Sequence, residues 1–120
     1  MATRRMFSLV VCDTDRFLEL PVSAQALYFP LGLRADDDGF ISGAKKIIRA
    51  VGSTEEDFTL LVEKGYIILF DSGVSVITEW KMNNSIRQDR HAPTVYQQEY
   101  AELSTLSTGC YVRDNQMSTK

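Results

Sequence analysis

The chain has 120 residues, 44% hydrophobic and 24% charged, with 13 Lys and Arg against 16 Asp and Glu, a formal net charge of −3. That length suits one domain with a tail and is too short for two independent cores. A negative balance excludes wholesale attraction to polyanions, so any nucleic-acid role must rest on a local cationic patch.

The opening "MATRR" has the charge of a secretory n-region, but no apolar stretch follows it. No apolar run approaches the ~20 residues of a membrane-spanning helix. Cys12 and Cys110 are far apart and match no metal-ligand spacing. The expectation is a reduced, cytoplasmic protein with two ordinary thiols. Arg4 and Arg5 read as a basic N-terminal arm.

Thr14 or Asp15 can cap a short helix over residues 16–20, closed by Pro21. Beyond it, Ala24, Leu27, Tyr28 and Leu31 recur at i, i+3, i+4 and i+7 and share one helix face. Pro30 falls inside that pattern. It removes a backbone donor and clashes with the Ala26 carbonyl, which predicts a kink or an early stop. "ADDDGFI" supplies a turn and a short strand over residues 39–42. Its three aspartates do not fit a calcium loop, because the glycine is misplaced and no glutamate closes the twelve-residue frame. An aspartate turn bonding its own backbone is the expectation, with no metal and no cofactor.

"GAKKIIRAVG" puts Ala44, Ile47, Ile48 and Val51 on one helix face and Lys45, Lys46 and Arg49 on the other. Gly52 ends that helix. Ser53 and Glu56 stand in capping-box relation and start the next, with Phe58, Leu61 and Val62 inward. After Gly65, "YIILF-DSG-VSVIT" reads as two strands and a tight turn. Helix, strand, helix, turn, helix and hairpin in that order predict an α+β winged helix. The fold class expected is therefore a helix-turn-helix with a β-hairpin wing, plus an extra N-terminal and an extra C-terminal helix. Trp80, following the wing, is expected to fold onto the core. A last helix starts near Thr94 and carries Tyr96, Tyr100 and Leu103 as an apolar stripe. Residues 1–100 form the expected domain, and 101–120 the end of that helix and a polar, disordered tail.

Several stretches taken together resemble a known family. They are "RRMFSLVVCDTDRFLELPVSAQALYFPLGLRADDDGFI", "KKIIRAVG" and "ITEWKMNNSIRQDRHAPTVYQQE". In order and spacing they are similar to the N-terminal domain of phage replisome organisers, the DnaD-like replication initiators of bacteriophages of Gram-positive hosts. The similarity runs from about Arg4 to about Glu99. It implies a winged-helix module that helps assemble the replication machinery at a phage origin, with a helicase loader among its partners. Family members usually continue into a C-terminal region that contributes DNA and loader contacts. Pro30 departs from the family's second helix.

Charge distribution decides how such a module would meet DNA. Between Ser53 and Glu79 six carboxylates (Glu55, Glu56, Asp57, Glu63, Asp71, Glu79) face one cation, Lys64, a net of −5. That stretch is the one a winged helix normally offers to DNA, and carboxylates there oppose the counterion release that drives binding. The acidic first turn is instead explained by the helix dipole. The DNA-contacting residues are therefore expected among the flanking cations and amides: Arg4, Arg5, Lys45, Lys46, Arg49, Lys81, Asn83, Asn84, Arg87 and Arg90. Their role would be phosphate contact. Tyr96, Tyr100 and Leu103 must be buried on their own domain or on another subunit, and are the candidates for self-association. His91 has no evident nucleophile beside it and no phosphate loop appears, so an enzyme is not expected. The rival expectations are a self-associating protein–protein scaffold without direct DNA contact, and a winged-helix transcriptional regulator.

Overall fold

In a computed structural model the chain is described over residues 5–84 and 91–113. Two short N-terminal helices lead into the helical layer. Ser8 caps α1 (Leu9–Cys12) by accepting from the Val10 amide, and Thr14 caps α2 (Asp15–Leu18) by accepting from Phe17. Next comes α3 (Val22–Leu33). Its buried side chains, Ala24, Leu27, Tyr28, Leu31 and Gly32, include all four expected from the spacing. The expected early stop at Pro30 does not occur, since the helix continues to Leu33. The tightly packed Phe7 ring, which a Cβ on Gly32 would meet at 2.7 Å, holds this last turn.

The strand β1 (Phe40–Ile41) precedes α4 (Ala44–Ala50) and α5 (Glu55–Glu63). A hairpin of β2 (Ile67–Leu69) and β3 (Ser75–Ile77) follows. The sheet order is β1-β3-β2, antiparallel throughout, with Phe40 opposite Val76 and Ile68 opposite Val76 on the other side. Because β3 lies in the middle, Ser75, Val76 and Ile77 are all buried and the strand has no wet side. Val51, expected inward, instead forms the C-cap of α4 and is exposed.

Then come α6 (Trp80–Asn83) and α7 (Gln97–Ala101). The expected last helix is thus short, and Leu103 lies outside it in β4 (Leu103–Thr105). β4 pairs with β5 (Tyr111–Arg113), Leu103 opposite Arg113, where a disordered tail was expected. The hairpin is held by Tyr111, which is 1% exposed. Its amide donates to the Thr78 carbonyl at 2.7 Å and its hydroxyl to the Asp38 carbonyl at 2.9 Å. The chain is therefore α+β, with a single apolar core between the helices and the three-stranded sheet. No helix among the described residues is long and apolar enough to cross a membrane.

Candidate nucleic-acid interface

Lys45, Lys46 and Arg49 all stand exposed on α4, because Ala44, Ile47 and Ile48 occupy the face turned to the core. None of the three makes an ion pair among the described residues. They form a cationic group on one exposed helix face. Beside them α5 presents Glu55 and Glu56 to solvent, while Asp57 is buried.

Asp57 explains the acidic turn. Thr54 is the N-cap and accepts from the Asp57 amide at 3.2 Å, so the capping pair sits one residue later than Ser53 and Glu56. The Asp57 carboxylate accepts from Ser23 Oγ at 2.8 Å and Ser53 Oγ at 2.9 Å. These hydroxyls, Ser23 foremost, hold its pKa below the ordinary carboxylate value against the opposing effect of burial. The carboxylate therefore ties α5 to α3 across the helical layer.

Between α4, α5 and the hairpin lies a cleft of about 650 Å³. Ile48, Phe58 and Leu69 give it apolar walls, and Lys45, Glu55 and Asp71 bring charge of both signs to its lining. Mixed charge of this kind does not form a uniform track for a phosphate backbone.

The other expected DNA contacts have different positions. Arg5 is not an arm residue: its side chain is 4% exposed, pairs with Asp37 at 3.1 Å and donates twice to the Ala35 carbonyl. A guanidinium so enclosed cannot reach a phosphate without breaking the fold. Asn83 and Asn84 are also internal. Asn83 accepts from the Ser8 amide at 2.8 Å and donates to the Tyr28 hydroxyl at 2.9 Å. Asn84 accepts from Met6 N at 2.8 Å and donates to Met6 O at 3.2 Å. The two amides thus bind the N-terminal segment to the body as a neighbouring strand would. Lys81 is exposed but reaches Thr105 Oγ1 at 3.4 Å, with its ammonium 5.5 Å from the Tyr111 ring. Arg4, Arg87 and Arg90 lie outside the described residues.

The aromatic stripe expected as the candidate for self-association packs partly on the chain's own core. Tyr96 and Tyr100 sit 6.1 and 6.0 Å from the Phe40 ring, and Tyr100 meets Tyr111 edge-on. Leu103 packs against the same core. All three are partly buried against the chain's own core, the own-domain arrangement of the two that the sequence leaves open.

The Asp36–Asp38 turn goes well beyond the self-bonded turn expected. Asp36 Oδ1 accepts from the amides of Asp38 and Phe40, both at 2.9 Å, while Oδ2 accepts from Thr94 Oγ1 at 2.5 Å. Asp37 accepts from the Ala92 amide at 3.0 Å, in addition to pairing with Arg5. Asp38 accepts from the Thr94 amide at 2.9 Å and lies 2.7 Å from His91 Nε2. Trp80 Nε1 donates to the Asp37 carbonyl at 2.9 Å, closing the turn from inside. Gly39 must be glycine here: its φ is +91° and a Cβ would meet Trp80 at 2.6 Å. The signal available in sequence was the unusual run of three carboxylates. Their long-range partners, Arg5, His91, Ala92 and Thr94, carried none. Among the described residues no group of three or more His, Cys, Asp or Glu is set to hold a metal ion.

Cys12 and Cys110 are partly buried, and burial raises both thiol pKa values, with the Glu79 carboxylate adding to the effect. Neither is an activated nucleophile. Comparison with protein-family models, with curated proteins and with solved structures finds no match to this chain.

Proposed function

We propose that the chain is a winged-helix module of a phage replisome organiser, acting in the cytoplasm without catalysis to contact DNA and assemble replication partners. The order α3, β1, α4, α5, β2, β3, with β1 paired to β3, supports the winged-helix reading. The observation that carries the DNA contact is the exposed trio Lys45, Lys46 and Arg49 on α4, which makes no ion pair among the described residues. Backbone contact is favoured over base reading because α5 opens with exposed Glu55 and Glu56.

Three cations set the scale. Neutralising three phosphates gives a weakening of roughly 40-fold as salt rises from about 50 to about 200 mM. A fluorescence-anisotropy titration with duplex and single-stranded DNA at both salt concentrations measures this. The variant Lys45→Ala/Lys46→Ala/Arg49→Ala should lose most affinity and most of the salt slope, whatever the DNA sequence. Unchanged affinity and slope would remove α4 from the interface.

A second reading is favoured by the interior placement of Arg5, Asn83 and Asn84, which leaves few accessible DNA contacts. In it the module is an assembly scaffold for replication proteins and does not itself touch DNA. Absence of binding to either DNA form at about 50 mM salt, where backbone contacts are strong, would favour that reading.

A further inference from the structure

Three elements converge on the cleft of about 650 Å³, and each brings its own side chains to it. From α5 come Glu55 and Phe58, and from α4 Lys45 and Ile48, each pair at i and i+3 on one side of its helix. The hairpin adds Leu69 from β2 and Asp71 from the turn. The volume lies within the ~300–1,000 Å³ of clefts that hold ligands.

Two properties of this lining are unmatched within the fold. Leu69 is 43% exposed on an edge strand, whereas Ile48 and Phe58, which share the cleft with it, are buried. Lys45, Glu55 and Asp71 are exposed, and none of them makes a hydrogen bond or ion pair among the described residues. The two carboxylates outnumber the one ammonium, so the cleft favours a cation beside its apolar wall.

We infer that this cleft docks a short segment of another protein, one that carries apolar side chains flanked by lysine or arginine. Charge complementarity selects that occupant. The apolar side chains of the segment lie against Ile48, Phe58 and Leu69, and their burial drives the association. Its cations meet Glu55 and Asp71, while Lys45 takes a backbone carbonyl or a carboxylate of the same segment. A nucleic acid would bring phosphates up to two carboxylates, and an acidic segment would meet the same repulsion. A purely apolar ligand would leave the charges desolvated without partners. The inference deepens the assembly role proposed above by giving the chemistry of a partner, and it rests on that reading for its purpose. Its test contains no DNA, so the α4 contact and the docking cleft can fail separately.

Three short synthetic peptides, titrated into the full chain and followed by amide NMR, provide the test. One alternates leucine pairs with lysine pairs, the second has glutamate for lysine, and the third has serine for leucine. The lysine–leucine peptide should bind at least about tenfold more tightly than either of the others, which lack the ion pairs or the apolar contact. It should shift the amides of α4, of the first turns of α5 and of residues 69–73. Leu69→Ser should weaken it about tenfold, and Glu55→Gln/Asp71→Asn by a similar factor. Glu55→Lys/Asp71→Lys should reverse the preference, so that the glutamate–leucine peptide binds best. All three positions are exposed, and melting close to wild type would show that the loss is not unfolding. If charge reversal in the first turn of α5 lowers the melt, Leu69→Ser and Glu55→Gln/Asp71→Asn decide. Equal affinity for the three peptides would overturn the inference, as would no binding at about millimolar peptide. Shifts confined to another surface, or indifference to Leu69→Ser and Glu55→Gln/Asp71→Asn, would overturn it too. Peptide binding in a chain that ignores DNA would discard the α4 contact and leave the cleft standing.

Discussion

At the scale of single residues, Asp36, Asp37 and Asp38 show how one run of like charges can hold distant segments together. Three adjacent carboxylates repel one another, and Asp37 and Asp38 are also buried. Each is balanced by donors of its own, as a buried carboxylate must be. Asp36 serves both its own turn and Thr94, Asp37 takes Arg5 and Ala92, and Asp38 takes His91 and Thr94. Replacing Asp36 with alanine strands two turn amides and the Thr94 hydroxyl. Bonds to a charged acceptor contribute about 1.5–3 kcal/mol each, and relaxation recovers part, so Asp36→Ala should cost about 3 kcal/mol. Asp36→Asn keeps an acceptor for the amides and should cost about 1 kcal/mol. Urea denaturation reads both as a lower midpoint at unchanged slope. A loss below about 1 kcal/mol for Asp36→Ala would show that the turn stands without its carboxylate.

At the scale of elements, the Asp57 cap gives a pH signature. Its folded pKa is depressed, chiefly by the Ser23 hydroxyl, so it binds its proton more weakly folded than unfolded. The stabilisation is therefore complete above the unfolded carboxylate value, near 4, and is lost as pH falls through the lower folded value. Thermal melts of wild type and Asp57→Asn should differ most above about pH 4 and converge in stronger acid. A constant difference across that window would mean that the cap acts by shape and not by charge. The same element shows what was legible in advance. Periodicity located α3, α4 and α5 because each buries one face, and the Ser-Thr-Glu-Glu-Asp run announced a cap. It placed the cap at Ser53, one residue early: Thr54 caps the helix, and the Ser53 hydroxyl joins Ser23 of α3 on the Asp57 carboxylate. The early stop expected at Pro30 does not occur, since α3 runs on to Leu33. The missing hydrogen bond is a local cost, whereas the packing of Leu31 and Gly32 against the core is a tertiary gain. For the site, helix periodicity placed Lys45, Lys46 and Arg49 on the surface correctly. It had nothing to say of Arg5, Asn83 and Asn84, whose partners are non-local.

At the scale of the whole molecule, the boundary of the folded unit is the main revision. Residues 103–113 are polar and turn-rich, and their hairpin has no strong local signal. What orders them is Tyr111, seated against Tyr100 and bonded to Thr78 and Asp38. Arg113 adds to this by donating to the Leu69 carbonyl and placing its guanidinium 4.9 Å from the Phe70 ring. The hairpin thus closes over the end of the three-stranded sheet and belongs to the core. A chain cut after Glu102 should fold less stably, although it retains every helix of the described residues. Removing one buried large aromatic ring typically costs 3–5 kcal/mol, so a loss of about 4 kcal/mol is expected. At roughly 4 °C per kcal/mol for a domain of this size, the melting temperature should fall by about 15 °C. Restoring residues 103–113 alone should recover it, and restoring them with Tyr111→Ala should not. An unchanged melt after truncation would return the hairpin to the status of an appendage. The fold would then end with α7, as composition alone suggests.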